Sequence, residues 1–153
     1  MIPTLRRTTE SDLPTILGLL DRYYTEGDVW LRDTPETTLD CIKHPTLGYF
    51  LTEIDGIPVA CVLLRPLPTI PHATECKRLY VAPEHRGHRL ADRLMQAAED
   101  HARSVGLHWI YLDTKDDFTA AIALYKRRGY EEIPRFNDNP QATIFLRKSV
   151  TTP

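Results

Sequence analysis

Long apolar runs are missing from this chain. None approaches the roughly 20 residues a bilayer span requires, so no membrane contact is expected. The first residues, Met1-Ile2-Pro3-Thr4-Leu5-Arg6-Arg7, hold no signal-peptide apolar region, and a cytoplasmic protein is expected. Cysteine is scarce. Cys41, Cys61 and Cys76 are an odd number without metal-ligand spacing, which fits reduced thiols and argues against a disulfide framework. His72, His85, His88, His101 and His108 are not paired at ligand spacing either, so no metal is expected. An excess of one charge is also missing. The net charge of −2 excludes the basic footprint of a nucleic-acid binder. No repeat or low-complexity segment is present.

What is present suits one globular domain over residues 1–153: 42% apolar and 26% charged residues, enough for a sizeable core. Thr4–Thr8 reads as a strand. Thr9 to Asp12 offer capping groups, Pro14 fits a first helical turn, and Leu13, Ile16, Leu17, Leu19 and Leu20 form an apolar face up to about Tyr24. A short helix is predicted from Thr34-Pro35 to near His44-Pro45. Tyr49–Ile54 and Ile57–Leu64 flank Asp55-Gly56, a strong hairpin signal, with Val59, Cys61 and Leu63 expected on one face. Thr74–Val81 is a strand, about Arg89–Val105 a helix, His108–Asp113 a strand and Ala120–Arg128 a helix. Tyr130–Ile133 and Ala142–Lys148 complete the order. The predicted architecture is α/β (α+β): a mixed, mostly antiparallel twisted sheet flanked by helices, with one parallel pair across the long helix.

Leu79-Tyr80-Val81-Ala82-Pro83-Glu84-His85-Arg86-Gly87-His88-Arg89-Leu90-Ala91 is the centre of this arrangement. Strand formers run into Pro83, which ends a ladder. Gly87 permits a tight turn and close approach of a ligand. The helix that follows presents unpaired N–H groups at its positive end, with His85, Arg86, His88 and Arg89 on the same turn. Two readings are open from the residues alone: an anion site, or a surface connection with solvated arginines.

Arg86-Gly87-His88-Arg89-Leu90-Ala91 resembles the acyl-CoA pyrophosphate loop of the GCN5-related N-acetyltransferase (GNAT) superfamily, Arg/Gln-x-x-Gly-x-Gly/Ala. Ala121-Ile122-Ala123-Leu124-Tyr125-Lys126-Arg127-Arg128-Gly129-Tyr130 resembles its second signature, a helix with A-x-x-L-Y-x-x-x-G-F/Y. The order of the two motifs and the helix and strand between them extend the resemblance over nearly the whole chain. It implies an acetyl-CoA-dependent N-acetyltransferase without a metal, and a sheet splayed between Thr74–Val81 and His108–Asp113. It implies that Arg86, Gly87, His88, Arg89, Leu90 and Ala91 hold the pyrophosphate. It places Leu79, Tyr80 and Val81 along pantetheine. Tyr125 would be the acid beside the CoA sulfur, and Glu75, grouped on one strand face with Lys77, Leu79 and Val81, the base, directly or through water. Two positions depart from the pattern. Arg89 replaces the loop glycine, and Phe118 replaces an asparagine that touches pantetheine, so one polar contact is expected to be missing.

The resemblance implies a primary amine of a small molecule or peptide as acceptor, and admits a homodimer. Tyr23, Tyr24, Glu26, Asp28, Trp30, Asp33, Asn137 and Asp138 fall where relatives hold the acceptor, and acids beside aromatics suit a cationic amine. A non-catalytic acyl-CoA-binding module and a plain interaction protein are the other readings. Binding without turnover would favour the first of these, and absence of CoA-dependent stabilisation the second.

Overall fold

The computed structural model describes residues 2–151. The chain opens with β1 (Pro3–Arg7), α1 (Leu13–Glu26) and α2 (Pro35–Lys43). The hairpin β2 (Gly48–Ile54) and β3 (Ile57–Pro66) follows, then β4 (Ala73–Val81) and α3 (Leu90–Ser104). β5 (Trp109–Thr114), α4 (Thr119–Arg127), β6 (Glu131–Ile133) and β7 (Ile144–Ser149) complete it. Local chemistry sets these limits. Pro14 sits in the first turn of α1, where its missing N–H costs nothing. At α2 the Thr34 hydroxyl caps the Thr37 N–H at 3.1 Å, and Pro35 is the first helical residue.

One sheet forms in the order β1-β2-β3-β4-β5-β7-β6. The β4–β5 pair is parallel and every other pair is antiparallel, as the pattern of elements predicts. The parallel ladder runs only from Ala73↔Trp109 to Cys76↔Leu112, although β4 continues to Val81. Beyond Cys76 the two strands have parted. The backbone of β4 on that side is left without a strand partner.

Helices cover both faces. Leu90, Leu94, Met95, Ala98 and Ala102 of α3, with Leu124 and Tyr125 of α4, pack on Phe50, Val62, Leu64, Cys76 and Ile110. Ile16, Leu19, Leu20 and Tyr24 of α1, with Ile42 of α2, pack on Tyr49, Leu51, Cys61, Leu63 and Tyr80. Glu99, missed in the apolar spacing of α3, is buried among Arg128, Lys148 and Tyr130, which donate to it at 2.8 to 3.3 Å.

Two bulges correct the expected strand faces. On β4, Leu63 pairs with Lys77 but Cys61 pairs with Tyr80, so Arg78 and Leu79 stand opposite one residue of β3. The extra residue reverses the alternation. Glu75 and Lys77 therefore share the α1 side with Leu63 and Tyr80, while Leu79 and Val81 pack toward α3. They are not on one face as expected. Arg78 takes a left-handed backbone, φ +60°, which costs a non-glycine residue about 1–2 kcal/mol. On β3 the register slips at Val59, which moves it away from the face of Cys61 and Leu63.

Candidate active site

A groove of about 790 Å³ opens where β4 and β5 part. One wall is the end of β4 with the loop into α3. The other is the start of α4, and Tyr23 of α1 with Gly27 just beyond its end closes the third side. Leu79, Tyr80, Val81, Arg86, Gly87, Arg89, Leu90 and Ala91 all line it, as does His85. His88, assigned to the same loop, is exposed and lies outside this lining.

The loop is a main-chain device. Gly87 has φ +86° and Arg89 φ +57°, ψ +28°, so the chain turns twice through left-handed conformations before α3 starts. Among the described residues, the N–H groups from Gly87 to Asp92 find no acceptor in the protein. The first helical bond at this end is Arg93 N–H to Arg89 O at 3.1 Å. These N–H groups gather at the positive end of the α3 dipole. The Arg86 guanidinium crosses the mouth, donating to Val81 O at 2.9 Å and to Glu26 at 3.3 Å. The Tyr80 hydroxyl also donates to Glu26. Arg127 reaches Asp92 at 2.7 Å on the α4 side, and both line the groove.

At the inner end lies a second cavity of about 60 Å³, sharing Tyr23, Leu79, Phe118 and Ala121 with the groove. Tyr125 lines this cavity and is 6% exposed. Burial pushes its phenol well above the ordinary value, with neighbouring Cys76, Tyr23 and Asp113 adding to the rise. Burial likewise raises the Cys61 thiol to about 12 and the Cys76 thiol further, so neither forms a thiolate readily. Phe118 precedes α4 as its cap residue, its ring 6.5 Å from that of Tyr23 with the Lys115 ammonium 5.2 Å above it. At the position where the family has an asparagine, the wall here is aromatic.

Beside this cavity runs a buried polar network that spacing along the chain did not reveal. Lys77 Nζ lies 3.1 Å from both oxygens of Asp113 and 3.8 Å from Glu75. Arg65 Nε donates to Glu75 at 2.9 Å. The Asn137 amide bridges the two acids, at 2.9 Å from Glu75 and 2.7 Å from Asp113, and Asn139 reaches Asp113 at 3.3 Å. Burial raises the Asp113 carboxyl, but the Lys77 charge and these amide bonds outweigh it and hold it below the usual range. Lys77 and Asp113 line the cavity. Glu75, 4% exposed, lies behind that wall, one amide away from Asp113.

The acids named for the acceptor are largely engaged. Glu26 takes Tyr80 and Arg86, and Asp33 takes Arg78 at 3.3 Å. The carbonyls of Gly27 and Asp28 accept from Lys115. Trp30 is exposed and lines neither cavity. No helix among the described residues is long and apolar enough to cross a membrane.

Comparison with known proteins agrees with this geometry. Residues 13–130 match the acetyltransferase (GNAT) family model. An IAA acetyltransferase of Azospirillum brasilense is 30% identical over 114 residues, covering 74% of this chain and 72% of its own. A GNAT-family acetyltransferase from Staphylococcus aureus Mu50 superposes with a TM-score of 0.84 over 97% of this chain and 99% of its own, at 17% identity. YncA of Salmonella typhimurium, crystallised with acetyl-CoA, gives 0.80 over 98% and 95%, also at 17%. The parted β4 and β5, the turn before α3 and the family match over most of the chain make this protein an N-acetyltransferase of the GNAT family.

Proposed function

We propose that the protein transfers the acetyl group of acetyl-CoA to a primary amine of a small molecule or peptide by direct attack. The observation that carries this reading is the run of unpartnered N–H groups from Gly87 to Asp92 at the mouth of a groove that ends beside Tyr125. That run, which includes the Arg89 main chain, fits a pyrophosphate together with the Arg86 side chain, since charge-assisted bonds contribute about 1.5–3 kcal/mol each. The unpaired edge of β4 beyond Cys76 offers Leu79 and Val81 main-chain groups to the amides of pantetheine.

An alkyl amine has a pKa near 10.4, so about one in 2,500 is the free base at pH 7. The site must take up a proton as the nitrogen attacks the thioester carbon. Glu75 fills the base role through water, because Lys77, Asp113 and Asn137 stand between it and the cavity. As the C–S bond breaks, negative charge moves to sulfur. A CoA thiol is a stronger acid, with a pKa of about 8.5, than a phenol raised above 10. Tyr125 therefore stabilises the departing thiolate by donating a hydrogen bond, without complete loss of its proton.

Thermal unfolding with and without acetyl-CoA tests the reading. Ligand at about 100 times its Kd adds roughly 2.7 kcal/mol, a shift of several degrees for a domain of this size. The same samples, given a panel of primary amines, should release free CoA thiol. No shift at millimolar acetyl-CoA would overturn the proposal.

A further inference from the structure

The inner cavity is walled by three cations, Lys77, Arg78 and Lys115, and one acid, Asp113. Lys77 and Asp113 satisfy each other. Lys115 spends its ammonium on the carbonyls of Gly27 and Asp28. Arg78 is different. It is 8% exposed, and its Nε donates to Asp33 at 3.3 Å. The guanidinium also interacts with the Tyr23 and Tyr24 hydroxyls, and it makes no second ion pair among the described residues. The guanidinium rests 5.4 Å from the Tyr24 ring centroid, and the residue lines the cavity. The neighbouring Tyr125 hydroxyl has no hydrogen-bond partner among the described residues and faces the same cavity.

A largely buried guanidinium with one carboxylate partner on its Nε, and only phenol oxygens as further partners, keeps donor capacity on its terminal nitrogens for a second anion. The backbone underneath is unusual. Arg78 is the left-handed residue of the β4 bulge, and that extra residue is what reverses the strand faces beside the cavity. The fork matches a carboxylate, which can accept two parallel N–H bonds. Since folding has already stripped the guanidinium of most of its water, an arriving anion loses only its own hydration. Ionic screening is also weak at this depth.

We infer that the acceptor is an amino carboxylate, whose carboxylate is held by the terminal nitrogens of Arg78 while its amine faces the thioester. This inference rests on the acetyl-transfer reading above. It narrows the amine to one that carries an anionic group, and it assigns Arg78 as the residue that sets specificity. It also replaces the expectation of a site built to attract a cation. Asp33 holds Arg78 and is not open to an ammonium, and Asp113 already receives Lys77, Asn137 and Asn139.

The experiment compares free α-amino acids with their α-amides of identical side chain, using release of CoA thiol as the readout. The amide carries the less basic amine, so intrinsic reactivity favours the amide and any preference for the acid reflects the site. We expect kcat/KM to be at least tenfold higher for the best acid than for its amide. In Arg78→Gln that ratio should collapse toward one, mainly through a rise in KM for the acid. Arg78→Lys keeps a charge for Asp33 and should fold where Arg78→Gln does not. It should recover part of the preference, since an ammonium lacks the fork. A purely structural arginine would lower both substrates equally and leave the ratio intact. An unchanged ratio in both variants overturns the inference, as does equal use of acids and amides by the wild type. If acetyl-CoA shifts the unfolding midpoint but no amino acid is acetylated, the inference falls and acyl-CoA binding stands. If acetyl-CoA gives no shift, the acetyl-transfer reading itself has failed.

Discussion

The two ends of the groove are made of different material. At the mouth, the contacts available to an anion come from the main chain: a run of N–H groups between Gly87 and Asp92, set in place by two left-handed turns. At the inner end the polar groups are side chains of both signs: Glu75, Lys77, Arg78, Asp113 and Asn137, drawn from two strands and a distant loop. The mouth is wet and its arginines are exposed. The inner end is buried, and its charges are compensated at close range. A main-chain site depends on backbone shape and tolerates exchange of side chains. A side-chain site depends on each partner, because removing one leaves another buried and unpaired.

The largest expected effect follows from that dependence. Lys77→Met leaves Asp113 and Glu75 without their shared cation in a place where Lys77 is 7% exposed. Breaking a buried pair in this way costs about 3–5 kcal/mol, which urea unfolding would register. Adding Asp113→Asn should restore a good part of the loss. A single-variant loss below about 1 kcal/mol would show that these charges are not coupled. The sign with pH is fixed by the lowered Asp113 carboxyl. Its contribution is complete above the unfolded value near 4 and fades as pH falls through the folded one. Asp113→Asn should therefore flatten the acid limb of the stability curve.

Catalytic effects come next. Tyr125→Phe removes the hydroxyl at the inner cavity and leaves the ring in the core. The expected result is a fall of about 10²-fold in kcat with little change in acetyl-CoA affinity. A variant as active as the parent would place the thiolate elsewhere. Glu75→Gln should cost about tenfold or more, and most at low pH, where more of the amine is protonated. A loss that stays constant from about pH 6 to 9 would move the base role to Asp113, which is nearer the cavity.

The mouth could be read from the chain because it is contiguous. Pro83, Gly87 and the helical spacing after Arg89 state a strand, a turn and a helix within about a dozen residues. Element order and the parallel pair were legible for the same reason: hairpin signals, caps and periodicity are local. The inner end was not legible. Asn137 reaches Glu75 across 62 positions and Arg78 meets Asp33 across 45. Cys76-Lys77-Arg78-Leu79-Tyr80 breaks strict alternation, but the break does not by itself say which residue is extra or which face it leaves. Glu75 was consequently grouped with Leu79 and Val81 when it lies on the opposite face. The sequence pattern did not single out Arg78, and only the register places it inside.

Smaller effects belong to the mouth, where no single side chain dominates. Arg86 is more than half exposed and competes for Glu26. Arg86→Ala should weaken acetyl-CoA by about tenfold at low salt, roughly 1.4 kcal/mol, and by less as ionic strength rises. A loss of a hundredfold or more would mean that this end, too, is a side-chain site.

Arg89 gives the smallest effect and the sharpest contrast. It stands where the family loop has glycine, and the backbone there is left-handed, φ +57° and ψ +28°, as a glycine would adopt freely. The turn has been kept and the residue that makes it easy has not. No Arg89 side-chain bond within the described residues explains the exchange. Arg89→Gly should relieve native strain of about 1–2 kcal/mol, while the added freedom of the unfolded chain takes back up to about 1 kcal/mol. The net change in unfolding free energy should be a gain of no more than about 1.5 kcal/mol. Acetyl-CoA affinity should move by less than about threefold, because the N–H groups that meet the anion are the same in both chains. A large loss of affinity would instead show that the Arg89 guanidinium has become a phosphate contact. In that case the side chain compensates, at the mouth as at the inner end, for what the backbone no longer provides as easily.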